Sequence, residues 1–105
     1  MKVSIHKTDG KVYVDGVGLE VDTSDLPTYV KVVQWDSDLG KGHIEFVQDN
    51  SGKFVLNQSI SDFSQFQHAV DGWNIKNEEM VKAQEALEAQ QKEDQQKALK
   101  KGIKL

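Results

Sequence analysis

The chain has 105 residues and a mass of 11.8 kDa, enough for one small domain with a single hydrophobic core. It contains no cysteine, which excludes a disulfide framework, a thiolate metal site and a cysteine nucleophile. The formal net charge is -4, and all 13 basic residues are lysine. Because arginine is the residue that binds phosphate and guanine in a bidentate manner, its absence from an acidic chain argues against nucleic-acid binding. The apolar runs are short and no basic-then-apolar leader opens the chain, so we expect neither a membrane partner nor a secretory signal.

The first residues alternate between apolar and polar side chains and predict a β-hairpin. Two alternating runs, at about 2–7 and 11–15, flank the pair Asp9-Gly10. An Asp-Gly pair between two such runs is a strong short-range hairpin signal. We therefore expect the first two strands to be antiparallel neighbours.

A second turn, over residues 15–18, leads to a short third strand at 19–22, in which Leu19 and Val21 share one face. The segment 23–27 predicts a loop or a single helical turn, because its proline disfavours helix in the residue before it. The first part of the chain thus predicts a small meander.

The next three segments are predicted to complete an antiparallel sheet. Residues 29–35 are the most β-prone stretch, rich in β-branched and aromatic side chains, and predict a central strand. Residues 43–47 alternate and predict a hairpin with that strand, and residues 54–57 close the set. The residues of these strands expected in the core are Val32, Trp35, Ile44, Phe46, Phe54 and Leu56.

At Ser59 the apolar period changes from two to about 3.6, which predicts an amphipathic helix packed on the sheet. Its apolar stripe consists of Ile60, Phe63, Phe66, Val70 and Trp73. Ser59 and Asp62 have the spacing of a capping box with the shorter acid. Gly72 either ends this helix or is tolerated inside it at a cost of about 1 kcal/mol relative to alanine.

From Asn77 the composition changes to Glu, Lys, Gln and Ala, all of which favour helix. About 25 such residues predict a rod of roughly 37 Å. The segment 77–105 carries six acids and six lysines, whereas residues 1–76 carry eleven acids and seven lysines. The acidic surplus of the chain therefore lies in its front part.

Met80, Ala83 and Leu87 begin a heptad seam within this polar helix. The next seam positions are Gln90 and Asp94, which a stable coiled-coil core would not contain. Two interpretations follow from so weak a seam. The segment is either a solvated helical extension, or a helix that assembles with copies of itself or lies along a partner.

No motif in the sequence discloses a reaction. His6, His43 and His68 each stand apart from a second ligand, so ordinary exposed or hydrogen-bonded histidine is the expected role rather than metal binding. Asp36 and Asp38 are spaced as at the start of a calcium loop, but the closing glutamate is missing. We expect no catalytic residue, no cofactor and no metal, and predict that the chain is not an enzyme.

A series of short motifs runs between residues 10 and 75. In chain order they are Val12-Tyr13-Val14-Asp15-Gly16, the acidic Leu-Pro element from Asp22 to Pro27, Val33-Gln34-Trp35, Gly42-His43-Ile44-Glu45-Phe46, Ile60-Ser61-Asp62-Phe63 and Val70-Asp71-Gly72-Trp73. With these motifs the chain resembles small tail or tail-fibre-associated proteins of tailed bacteriophages. The resemblance implies a structural or assembly role in the phage tail. It supplies no catalytic residues, because the shared motifs are hydrophobic-core patterns.

The expected fold class is α+β, with a β-rich domain and its covering helix over residues 1–76 and a polar helical extension over residues 77–105. The core is expected to contain Val32, Trp35, Ile44, Phe46, Phe63, Phe66, Val70 and Trp73. The expected function is that of a non-enzymatic phage tail component or assembly factor, homo-oligomeric and in contact with other phage tail proteins. The predicted contact residues are Met80, Ala83 and Leu87. We expect the protein in the host cytoplasm during assembly and, if it is a structural component, in the virion.

Two alternatives remain open from the sequence. One is a phage-encoded protein that inhibits a host protein through an acidic surface patch. The acids of that patch are Asp22, Asp25, Asp36 and Asp38. The other is a small carbohydrate-binding module, which requires an exposed aromatic platform at Trp35 or Tyr29.

Overall fold

The structure is a computed structural model that describes residues 1–48 and 55–102, with side chains described as far as Asp94. Six strands form one sheet, and a single turn of 3-10 helix and one long α-helix follow them. The strands are β1 (Lys2–His6), β2 (Lys11–Val14), β3 (Val17–Glu20), β4 (Val30–Asp36), β5 (Lys41–Phe46) and β6 (Gln58–Ile60). The 3-10 turn spans Ser64–Phe66 and the α-helix, α1, spans Gln67–Gly102.

The strand order across the sheet is β3-β2-β1-β4-β5-β6, and every neighbouring pair is antiparallel. Four of the five pairs join strands that follow one another in the chain. The fifth, between β1 and β4, brings two hairpin units together into one sheet. The α+β prediction is therefore confirmed.

Glycine-containing turns close the first two hairpins. The predicted hairpin between β1 and β2 turns through Gly10, whose φ is +62°. Asp15 and Gly16 connect β2 to β3 with φ values of 49° and 84°, the geometry of a two-residue type I′ turn. Because this turn uses two residues rather than four, β3 begins at Val17, two residues before the predicted strand at 19–22.

A bulge in β4 decides which of its valines face α1. The pairing register with β5 shifts between Val30 and Val32, which leaves Lys31 as the extra residue. Strict alternation from the buried Val33 would turn Lys31 toward the core, and the bulge places Val30 there instead. Val32 then faces the other side of the sheet. It is buried, as predicted, but it lies outside the core cluster under α1.

The core lies between the sheet and about the first three turns of α1. It consists of Val3, Ile5, Val12, Val14, Leu26, Val30, Val33, Ile44, Phe63, Phe66, Ala69, Val70 and Trp73. Trp35 and Phe46, also predicted in the core, are half-buried and pack against this cluster. Leu56 is 74% exposed, contrary to prediction, because residues 55–57 form no strand that would fix it to either face. Phe54 lies outside the described residues.

The helical part begins later than predicted. Gln58–Ile60 form an edge strand, in which Ser59 pairs with His43, so Ser59 is not a helix cap. The apolar alternation of a strand and the stripe of a helix both fit Ile60, and pairing with β5 decides between them. The chain turns at Asp62, whose Oδ1 accepts a hydrogen bond of 2.9 Å from the backbone N–H of Ser64.

The covering helix and the polar helix form one continuous helix, and Gly72 lies within it. A Cβ at position 72 would lie 2.9 Å from Cγ1 of Val21, in the chain segment after β3. Glycine lowers the helix propensity here but lets α1 pack closely against that segment. The predicted boundary between residues 76 and 77 thus falls inside a helix.

Two side chains of α1 are hydrogen-bonded to the backbone of edge strand β3. The indole Nε1–H of Trp73 donates to the carbonyl oxygen of Val17 at 3.0 Å. One turn later, Nζ of Lys76 donates to the carbonyl oxygen of Glu20 at 2.8 Å. These bonds fix α1 along β3 and protect an edge that would otherwise present unpaired carbonyl groups.

We expect Gly42→Ala to destabilise the sheet by about 2 to 3 kcal/mol. A Cβ at this position in β5 would overlap the carbonyl oxygen of Gln34 in β4, so the two strands would have to separate. Urea unfolding followed by circular dichroism measures the loss. Gly72→Ala is the matched control, since the higher helix propensity of alanine offsets its contact with a single valine methyl group. An unchanged urea midpoint for Gly42→Ala would contradict this close approach.

Hydrogen bonds from the backbone N–H and the side chain of Ser64 hold the pKa of Asp62 below its usual value. The stabilisation from this carboxylate is therefore present above the ordinary carboxyl range and is lost as the pH falls through the lowered pKa. Asp62→Asn keeps an acceptor for Ser64 but does not titrate, so its stability should fall less than that of the wild type below about pH 4. Urea midpoints across an acid pH series measure this difference. Asp94→Asn on α1 controls for the loss of one negative charge. If the urea midpoints of Asp62→Asn and the wild type fell equally at acid pH, the stabilising role of the Asp62 carboxylate would be contradicted.

Candidate functional site

The feature that departs most from a compact domain is the second part of α1. The helix has 36 residues and is therefore about 54 Å long. Its contacts with the sheet end near Lys76, and every side chain from Glu78 to Asp94 is exposed. Residues 77–102, here called the projecting segment, extend about 39 Å beyond the sheet. The molecule accordingly measures 76 Å in its longest dimension against 31 and 19 Å in the others.

The three predicted contact residues lie together on one side of the projecting segment. Met80, Ala83 and Leu87, here called the seam, follow one another in steps of three and four residues. The helical repeat places them on the side of α1 that also carries Ala69 and Trp73, which are buried against the sheet. Met80 and Leu87 are each 52% exposed. The helix face that packs on the sheet therefore continues past it as an uncovered apolar strip.

The projecting segment is electrostatically divided along its length. Residues 77–89 contain four acids and one lysine, a net charge of -3. Residues 90–102 contain four lysines and two acids, a net charge of +2. The segment is almost neutral as a whole, but its two halves carry opposite charge.

The second candidate surface is the face of the sheet turned away from α1, here called the open face. Nothing among the described residues forms a layer over it. The strand register places one hydrogen-bonding side chain from each of five adjacent strands in line across this face. This polar row consists of Tyr13, Ser4, Gln34, His43 and Ser59. A shallow depression of about 370 Å³ lies over its first four members.

The aromatic residue of the polar row has a fixed orientation. Tyr13 lies opposite Gly18 in the neighbouring strand, and a Cβ on that glycine would overlap the tyrosine ring. The imidazole of His6 packs edge-to-face with the ring at a centroid distance of 5.3 Å. Ser4 Oγ in turn lies 2.7 Å from His6 Nε2. Glycine on one side and histidine on the other therefore hold the ring against the sheet.

The charged side chains of the open face balance one another. Cross-strand pairing places Lys2, Asp36 and Lys41 on one side of the polar row and Lys11, Glu20 and Glu45 on the other. Three lysines therefore oppose three acids at these paired positions, and Lys31 in the bulge of β4 lies beside Val32 and His6 on the same face. With four lysines and three acids the face is close to neutral, although the chain carries -4.

The three histidines make separate local contacts rather than a shared site. His43 Nε2 lies 3.8 Å from a carboxylate oxygen of Glu45, and His68 Nε2 lies 3.1 Å from one of Asp25. Over residues 1–48 and 55–94, no three histidine or acid side chains are grouped as metal ligands.

The Asp36 and Asp38 pair forms a turn between β4 and β5. Asp36 Oδ1 accepts hydrogen bonds from the backbone N–H groups of Asp38 and Leu39. Asp38 Oδ2 lies 3.4 Å from the terminal amine of Met1. Both carboxylates thus have protein partners in this structure.

The acids of the predicted inhibitory patch do not come together. Asp22 and Asp25 lie before β4, whereas Asp36 and Asp38 lie at its far end. Seven strand residues separate the two pairs by about 20 Å. The prediction that these four acids form one compact patch is therefore wrong.

The two aromatic residues proposed as a carbohydrate platform have different surroundings. Trp35 is half-buried and stacks on Phe63 with a centroid distance of 5.2 Å and an interplanar angle of 14°. Tyr29 is 54% exposed and is tilted against Phe46. Trp35 is thus part of the packing against the core cluster, and Tyr29 is a single exposed ring.

Comparison with protein-family models, with curated proteins and with solved structures finds no match to this chain. No helix in the part of the chain that the structure describes has the length and apolar character needed to cross a membrane.

The sequence interpretation missed the polar row. Alternation correctly separates His43 and Glu45 from the inward-facing Ile44, so the faces within one strand were predictable. Alignment across five strands also requires the pairing of β1 with β4, which joins residues about 30 positions apart. No local turn specifies the pairing of β1 with β4. The alignment of the polar row therefore cannot be recognised until this pairing is known.

Proposed function

We propose that this chain is a non-enzymatic structural component or assembly factor of a bacteriophage tail or tail fibre, acting through protein–protein contacts of the projecting segment. The observation that supports the contact is the exposed seam on the same helix side that packs on the sheet. A soluble protein gains little from exposing an apolar strip on a long unsupported helix unless another chain covers it. The tail assignment rests on the motif resemblance between residues 10 and 75, and the proposed partners include other phage tail proteins.

We propose that a second copy of the chain covers the seam, with its α1 antiparallel to that of the first copy. The sheet lies over α1 at Ala69 and Trp73, in the direction that the seam also faces. Two copies in parallel and in register would therefore place both sheets in the same volume. An antiparallel copy avoids this overlap if its helix ends where the sheet of the first copy begins, so that residues 77–102 of both copies lie side by side.

Charge supports the same arrangement. Antiparallel overlap places the acidic half of one projecting segment, residues 77–89, along the lysine-rich half of the other, residues 90–102. Opposite charges then meet along the whole contact, whereas a parallel pair would bring like charges together. With only three apolar seam residues, the pair should be weak and concentration-dependent.

We expect Leu87→Asp to abolish self-association. The change removes the apolar side chain at the centre of the antiparallel contact and adds a carboxylate that loses hydration there, and Lys92 on the opposite helix offsets only part of this loss. Ala89→Asp adds the same charge to the same exposed helix but away from the seam, so it should leave self-association unchanged. Sedimentation equilibrium over a range of concentrations gives the masses of the three proteins. A wild type that stays monomeric throughout, or equal weakening by both variants, would contradict contact through the seam.

Cysteine crosslinking tests the direction of the pair, because the chain has no cysteine of its own. In the antiparallel overlap residue 90 lies close to its own copy, whereas residue 83 lies opposite residue 96. Gln90→Cys should therefore form a disulfide-linked dimer under mild oxidation, and Ala83→Cys should remain monomeric. Crosslinking of both variants would indicate a parallel pair.

The tail assignment is tested in phage particles. We expect mass spectrometry to detect the chain in purified virions if it is a structural component. If it is an assembly factor, we expect it only in tail intermediates isolated from the host cytoplasm. Its absence from both, together with capture of a host protein, would favour the alternative in which the chain inhibits that host protein.

A further inference from the structure

The polar row on the open face has the composition of a binding surface for a neutral, hydroxyl-rich ligand. It offers hydroxyl, carboxamide and imidazole groups, which both donate and accept hydrogen bonds. Within the described part of the structure, the side chains of Gln34 and Tyr13 make no hydrogen bond to another protein group. These groups are therefore available to a ligand lying on the sheet.

The spacing of the row also restricts the ligand. Neighbouring strands lie about 4.8 Å apart, so five adjacent strands repeat a polar side chain over roughly 19 Å. This repeat is close to the length of one pyranose unit in a linear glycan. A chain of four or five sugars lying across the strands would present hydroxyl groups to each strand in turn.

The charge balance excludes strongly charged ligands from this fit. Four lysines and three acids lie on both sides of the row, so a polyanion or a polycation gains little net attraction from the face. Protein partners fit less well, because the row contains a single aromatic side chain and Val32, the aliphatic strand residue that the register places on this face, is buried among its neighbours.

Tyr13 supplies the apolar contact that sugar binding requires. One face of its ring lies against Gly18, and the His6 imidazole fixes the ring from the side. A ring held in this way loses little conformational freedom when the C–H face of a sugar packs on it.

From the spacing, neutrality and fixed aromatic ring we propose that the open face binds a neutral linear oligosaccharide along Tyr13, Ser4, Gln34, His43 and Ser59. This site is separate from the projecting segment and does not depend on the proposed tail-assembly role. It also differs from the platform at Trp35 or Tyr29 that the sequence suggested.

The test uses the full chain, labelled with ¹⁵N, and a panel of probes at millimolar concentration. The neutral probes are maltohexaose, cellohexaose, xylohexaose, mannohexaose and chitohexaose, and the charged probe is hexagalacturonate. We expect at least one neutral hexasaccharide to shift the amide signals of polar-row residues while those of residues 78–94 stay unchanged. Hexagalacturonate should bind at least tenfold more weakly.

Variants identify the contributing side chains. Gln34→Ala and Tyr13→Ala should each weaken binding of the neutral probe at least tenfold. Tyr13→Phe keeps the ring over Gly18 and should retain most of the affinity, which separates loss of stacking from loss of folding. Tyr29→Ala and Gln84→Ala are the matched controls, and both should bind like the wild type.

Three results would overturn the proposal. One is the absence of shifts with every neutral probe, and another is tighter binding of hexagalacturonate than of any neutral probe. The third is loss of affinity in Tyr29→Ala with none in Tyr13→Ala, which would move the contact from the half-buried Tyr13 to the exposed Tyr29. None of these results bears on sedimentation of the projecting segment, so the two proposals fail independently.

Discussion

The packing of the first turns of α1 on β2 and β3 is the contact on which the rest of the molecule depends. Ala69, Val70 and Trp73 are almost completely buried there, and Phe66 closes the same cluster from the preceding 3-10 turn. Without them, one face of the sheet would expose its valines and isoleucines to water. The hydrogen bond from Trp73 to Val17 also fixes the direction of the helix axis, because it holds α1 alongside the edge strand β3.

That direction determines what the remainder of α1 can do. A helix held along β3 at Trp73 and Lys76 must leave the sheet with its packing face unchanged, since the repeat of 3.6 residues continues. Met80 and Leu87 are therefore exposed on the side where the sheet lies, and a chain that covers them and continues toward Trp73 meets the edge of the sheet. The position of the sheet beside the seam thus restricts the possible partners more strongly than the seam residues do. Three apolar residues alone specify neither the direction nor the register of a partner helix.

The elements whose cause is local could be predicted from the sequence, and those that depend on distant pairing could not. The turn at Asp9-Gly10, the strand over 30–36 and the stripe that buries Phe66 all follow from residues close together in the chain. Gln58–Ile60 fits strand and helix equally, and only its pairing with β5 makes it a strand. The bulge at Lys31 also depends on a partner strand. The seam was predictable because it lies on one helix, whereas the polar row requires the pairing of β1 with β4.

The open face exists because the described structure has six strands in one sheet but only one α-helix to cover them. A single helix covers one side of the sheet, so the described residues leave the other side to water, and its side chains must tolerate hydration. A face selected only for hydration would need no ordered aromatic ring, and flexible lysine and glutamate would serve it well. Here uncharged hydrogen-bonding side chains occupy the central row, and the charged side chains lie on both sides of it, together with His6 and Val32. Because Gly18 makes room for the Tyr13 ring at the expense of strand propensity, the arrangement favours a surface shaped for contact over one that is merely solvated.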